Sequence, residues 1–129
     1  MPFDWNDYYS LAVDLRASPN EDCLRSAISR VYYSVYCQAR NYLIAQCGLV
    51  IRDNNSVHSV VWNFYKTRGG TFSAIGLTGR KLHSNRVDAD YKDELERLDD
   101  LVEESFQFAD KVLSYLAQLQ HHSSSDPSS

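Results

Sequence analysis

Three residues in LHSNRVDADY (82–91) have the types that phosphate chemistry uses: His83, Arg86 and Tyr91. Arginine can hold a phosphate and stabilise charge developing on it, while histidine or tyrosine moves a proton. If the last helix begins near residue 88, Arg86 stands just before N–H groups that already favour an anion. The competing reading is structural, because Asp90 lies four residues on and can pair with Arg86 on one helical face.

A second concentration of chemistry lies in RVYYSVYCQARNYL (30–43), with Tyr32, Tyr33, Tyr36 and Tyr42 between Arg30 and Arg40 or just beyond. Tyr32 and Tyr36 share a face, and Tyr33 lies nearer the arginine side. Such rings suit a core in which each hydroxyl finds a partner, or a wet helix–helix interface. No metal site is predicted. His58, His83, His121 and His122 show no ligand spacing with one another or with Cys23, Cys37 and Cys47. No cofactor-binding glycine loop or nucleophile elbow occurs either. Arg52 and His58 are read as a chance pair.

These groups need helices to position them. Asp4 can cap a helix near 4–17, with Phe3 stapled onto Tyr8. Ser18-Pro19-Asn20-Glu21 reads as a capping box for a helix that ends before Gly48. Its stripe is Leu24, Ala27, Ile28, Val31, Val35, Ala39, Tyr42 and Leu43. Ser56 can cap a short helix with Val57, Val60, Val61, Phe64 and Tyr65 inward, which stops at Gly69-Gly70. Gly76 and Gly79 weaken the segment 71–87 as a continuous helix, so the expectation is a short helix near 72–82 and an irregular approach to residue 88. The last helix should open on Asp88, Asp90, Asp93 and Glu94 and carry the stripe Leu95, Leu98, Val102, Phe106, Ala109, Leu113 and Leu116, with Leu98, Val102, Phe106 and Leu113 in the core. The predicted fold is all-α, a four- or five-helix up-and-down bundle over 1–119, with a disordered polar tail at 120–129.

Charge is unevenly placed. Residues 54–87 contain no acid and carry a net +5, whereas residues 88–129 carry −8, and the whole chain is −4. A nucleic-acid coat over the whole surface is excluded, but a local basic surface is not. No apolar run reaches the roughly 20 residues of a membrane span. Three cysteines without a CxxC pair suit a reduced, cytoplasmic protein.

The segments RSAISRVYYSVYCQARNYL (25–43), HSVVWNFY (58–65) and LHSNRVDADY (82–91), followed by a long amphipathic helix, resemble the HEPN superfamily of small prokaryotic helical domains. The resemblance implies a HEPN-like bundle, a homodimer, and a place in a toxin–antitoxin or antiviral defence system. It further implies association with RNA through Arg80, Lys81 and Arg86, and metal-independent endoribonuclease activity with Arg86, Tyr91 and His83 as catalytic residues. The family motif pairs an arginine with a later histidine, and here the matching position is Tyr91, an Arg-x4-Tyr. Phenol with a pKa near 10 is a poorer base than imidazole. The alternative is a non-catalytic helical adaptor, for example the partner of a nucleotidyltransferase.

Overall fold

The computed structural model describes residues 2–52 and 57–124 and is helical throughout its ordered elements: α1 (Asn6–Arg16), α2 (Glu21–Cys47), α3 (Val57–Lys66), α4 (Gly70–Tyr91) and α5 (Leu98–Ser124). The 27 residues of α2 span about 40 Å and form the spine, packed against all four other helices. Its buried face carries Leu24, Ala27, Ile28, Val31, Val35, Ala39, Tyr42 and Leu43, the stripe that the spacing predicts. Burying several such side chains contributes about 1.5–3 kcal/mol each before chain entropy is counted. Gly48 ends the helix in the left-handed region, at φ 68°, and the Leu49 N–H turns back to the Leu43 carbonyl.

At the start of α1 the predicted Phe3–Tyr8 staple forms, but the cap does not fall on Asp4: Trp5 is the N-cap residue, without a side-chain cap bond, and α1 begins at Asn6. Asp4 Oδ1 accepts the Asn6 N–H at 3.0 Å, and the Phe3 and Tyr8 rings meet edge to face at 5.3 Å. At α2 the cap lies later than the capping box predicts. Asn20 is the N-cap residue and Ser18 Oγ accepts its N–H, so α2 begins at Glu21. The predicted cap Ser56 lies outside the described residues.

The largest correction concerns α4. Instead of a short helix and an irregular approach, residues 70–91 form one continuous helix. Gly76 and Gly79 are its contact with α3 rather than its weak points. A Cβ at Gly76 would lie 2.5 Å from the Lys66 backbone nitrogen, and one at Gly79 would lie 2.3 Å from the Trp62 ring. The close approach outweighs the roughly 1 kcal/mol per glycine that helix propensity charges. At the other end, the Arg25 guanidinium donates to the carbonyls of Ala89 (3.0 Å), Lys92 (2.6 Å) and Asp93 (3.3 Å), satisfying the end of α4 from α2.

Asp88 and Asp90 therefore belong to the last turns of α4, and α5 opens on Asp99 and Asp100. The α5 helix runs to Ser124, beyond the predicted start of the tail, while 125–129 lie outside the described residues. Val102 and Phe106 are buried as predicted, whereas Phe64, Leu98 and Leu113 sit at the margin of the core. Val61 and Tyr65 are fully buried as predicted, while Val60 is exposed and Leu95 lies before α5 begins; Trp62, Ile75 and Leu82, fully buried or nearly so, take central places that the predicted core omits. Tyr65 Oη also donates to the Ala39 carbonyl at 2.7 Å, fastening α3 to the spine. All three cysteines are free, with Cys37 buried. Among the described residues no helix is long and apolar enough to cross a membrane.

Candidate functional site

The tyrosine face of α2 meets the first turn of α3 and the second half of α4. There the chain assembles Tyr32, Tyr33, Tyr36, His58, Trp62, His83, Arg86 and Asp90. His58 and His83 are both half-buried, and their rings stack at 5.2 Å with 14° between planes. The Tyr36 ring covers the His58 ring at 4.1 Å. Behind them the Arg86 guanidinium lies 5.3 Å from the ring centres of both Tyr32 and Tyr33. A desolvated guanidinium over aromatic faces is held by the ring quadrupoles.

One hydroxyl organises the polar atoms. Trp62 Nε1 donates to Tyr32 Oη at 3.0 Å, and Tyr32 Oη lies 2.6 Å from His58 Nδ1. The assignment that gives both the Trp62 and the Tyr32 hydrogen an acceptor has Tyr32 donating to Nδ1. His58 is then neutral with its proton on Nε2. Burial, which penalises the charged form, drives the His58 pKa down to about 4, and His83, Arg86 and Arg40 push the same way. Burial and then Arg86 also lower the His83 pKa. Near neutral pH the cluster therefore presents two uncharged imidazoles beside a fixed cation. Tyr32 itself is pushed far up by burial and stays a phenol.

Arg86 is only 7% exposed. Its Nη1 reaches Asp90 Oδ2 at 3.2 Å, the ion pair that the four-residue spacing predicts. Asp90 also lies 3.5 Å from Ser29 Oγ. The pair leaves the arginine incompletely satisfied: Arg86 Nε is buried without a hydrogen-bond partner, and so is Tyr36 Oη. A buried donor left unpaired costs about 1–3 kcal/mol, which an oxyanion accepting from it would recover.

Scans against protein families, curated proteins and solved structures found no match. The geometry of this cluster is thus the basis for any functional reading.

The structure brings together two of the three predicted catalytic residues. His83 and Arg86 are three apart on α4 and both join the cluster. Tyr91 does not: five residues on, it is turned about 140° around the helix from Arg86, and it is 73% exposed at the last position of α4. Arg86 is also not at a helix N-terminus. It lies in the second half of α4, so ring faces and Asp90 hold it rather than a row of free N–H groups. Among the predicted RNA contacts, Arg80 and Lys81 are exposed, and Lys81 Nζ lies 5.9 Å from the Phe108 ring centre. Arg86, the third, is buried. His58, read in sequence as a chance neighbour of Arg52, is a central member. Its signal was the four-residue spacing to Trp62, which puts both on the face that α3 turns toward the tyrosines.

Proposed function

We propose that this chain is a HEPN-like, RNA-associated protein of a prokaryotic toxin–antitoxin or defence system, and that His58, His83 and Arg86 form its phosphodiester site. The observation that carries the reading is the stacked pair of neutral histidines beside a buried arginine whose Nε has no partner. A neutral imidazole is the base that RNA self-cleavage needs. His83 takes the 2′-hydroxyl proton, and the freed oxygen attacks the adjacent phosphorus. The bond from phosphorus to the 5′-oxygen breaks, giving a 2′,3′-cyclic phosphate and, after proton uptake from water, a 5′-hydroxyl. Arg86 neutralises charge growing on the phosphoryl oxygens, and the His58 Nε2–H is a further donor. A phosphate entering the site offsets the charge of Arg86 and makes either histidine easier to protonate.

The Arg86–Asp90 ion pair favours a second reading, in which the cluster is a polar core and the chain is a non-catalytic adaptor, such as a nucleotidyltransferase partner. One experiment separates the two. A labelled oligoribonucleotide is incubated with the wild type, His83→Gln, Arg86→Gln and Tyr91→Phe in the presence of a chelator. The nuclease reading expects cyclic-phosphate ends from the wild type and Tyr91→Phe, and none from the other two. Melting curves taken in parallel should stay close for His83→Gln. A wild type that neither binds nor cuts RNA, with Arg86→Gln lowering only stability, establishes the adaptor.

A further inference from the structure

Beside the histidine cluster, three aromatic residues at the start of the chain pack on one another at the protein surface. Phe3 meets Trp5 at 4.8 Å and Tyr8 at 5.3 Å, and Trp5 meets Tyr8 at 5.2 Å, all edge to face. Phe3 is 49% exposed, and Trp5 and Tyr8 are half-buried. Two arginines of α2 lie against this group: Arg30 is 5.0 Å from the Tyr8 ring centre and Arg40 is 5.9 Å from that of Trp5. Ten residues apart on one helix, they are separated by about 15 Å along its axis.

Arg40 also lies 5.9 Å from the Tyr36 ring centre, and Tyr36 stacks on His58. The aromatic group is thus joined to the histidine site by an unbroken series of ring and guanidinium contacts. Its arginines are electrostatically available. The ion pairs among the described residues are Arg25–Glu21, Arg86–Asp90, Lys92–Asp88 and Arg97–Asp100, and neither Arg30 nor Arg40 takes part in one.

We infer that the strip formed by Phe3, Trp5, Tyr8, Arg30 and Arg40 binds single-stranded RNA and leads it to His58 and His83. The inference rests on the RNA reading of that site. The parts of these rings that remain exposed can stack on bases of any sequence, and the two arginines beside them can meet phosphates of the same strand. A duplex hides its base faces in its own stack, so the strip selects unpaired strands. The chain has two tryptophans, and Trp62 is 1% exposed, so Trp5 is the one that a base can reach.

The test uses a labelled ten-nucleotide 2′-O-methyl oligoribonucleotide, which cannot be cleaved, and a hairpin of equal length. Fluorescence anisotropy is followed as a function of salt. The wild type should bind the single strand at least tenfold more tightly than the hairpin and show quenching of Trp5 fluorescence, retained in Trp62→Phe. Arg30→Gln with Arg40→Gln should weaken binding more than tenfold and flatten the slope of log affinity against log salt by about 1.4. Trp5→Leu should weaken binding about tenfold with an unchanged slope, because stacking releases no counterions. If these variants bind with wild-type affinity and slope while His83→Gln abolishes cleavage of unmodified RNA, the strip inference fails and the catalytic site stands. If they weaken binding as stated but the wild type cuts nothing, the nuclease reading fails and the strip stands. Loss of self-association in light scattering, without any change in RNA affinity, would make the strip an interface between copies and also overturn the inference.

Discussion

The two halves of α4 solve opposite packing problems. In the first half, Gly76 and Gly79 offer no side chain, and α3 settles onto the bare backbone until the Trp62 ring covers Gly79. In the second half, His83, Asn85 and Arg86 bring long polar groups into the interior, and each needs partners. Asn85 finds Ser105 and Glu104 on α5, and Arg86 finds Asp90 and two tyrosine rings. Trp62 belongs to both regions, since its ring packs on Gly79 while its Nε1 donates to the hydroxyl that holds His58. The closely packed half thus sets the depth at which the polar half meets the tyrosines. Steric tolerance should be least in the first half, and sensitivity to charge greatest in the second.

The largest effect is expected at the glycines. Helix propensity alone makes Gly76→Ala stabilising by about 1 kcal/mol. The Cβ would stand 2.5 Å from backbone that cannot move aside, so overpacking prevails. A net loss of about 3 kcal/mol or more is expected from urea unfolding, with Gly79→Ala also destabilising. Stabilisation by either substitution would break the contrast between the halves.

Next comes the ion pair, whose two partners should respond unequally. Side-chain exposure is 9% for Arg86 and 28% for Asp90. Asp90→Asn strands a buried cation and should cost about 2 kcal/mol, less than the 3–5 kcal/mol of a fully buried pair. Arg86→Met leaves a carboxylate that water can reach and should cost less. The order of the two urea midpoints checks this, and the reverse order would mean that Asp90 depends on the pair more than Arg86 does.

A smaller and graded effect should follow pH. Both histidines have native pKa values below the ordinary 6.5, and that of His58 is about 4. Below pH 6.5 the unfolded chain binds protons that the folded chain refuses, so stability falls as the pH drops from about 6.5 toward 4 and is fully present above that range. Melting temperatures across this interval should decline less steeply for His58→Gln combined with His83→Gln than for the wild type. Parallel declines would show that the histidines are not held neutral.

The smallest change is expected at Tyr91, at the exposed end of the polar half. Tyr91→Ala should alter stability by less than about 0.5 kcal/mol and leave the proposed RNA cleavage unchanged. Loss of cleavage at unchanged melting temperature would return the proton-transfer role to Arg86-x4-Tyr91 and remove it from His83.

Local pattern alone determined the helical class, the buried stripe of α2 and its stop at Gly48, because 3.6-residue spacing and a left-handed glycine act locally, whereas Gly69-Gly70, predicted to stop α3, open α4 after α3 has ended at Lys66. The four-residue step from Arg86 to Asp90 was legible for the same reason. The course of α4 was not. Its glycines look like helix breakers until α3 is laid against them, and the acids that resemble a helix start are the end of one whose carbonyls Arg25 satisfies from 64 to 68 residues away. The histidine site was hidden more deeply. His58 and His83 are 25 positions apart in the chain, and no spacing rule joins them. Only the packing of α3 and α4 onto the tyrosines of α2 stacks the two rings, half-buries them and lowers the pKa of both. A sequence carries the side chains and their local rhythm, but burial is a property of the assembled core, and burial is what lowers the pKa of these two imidazoles.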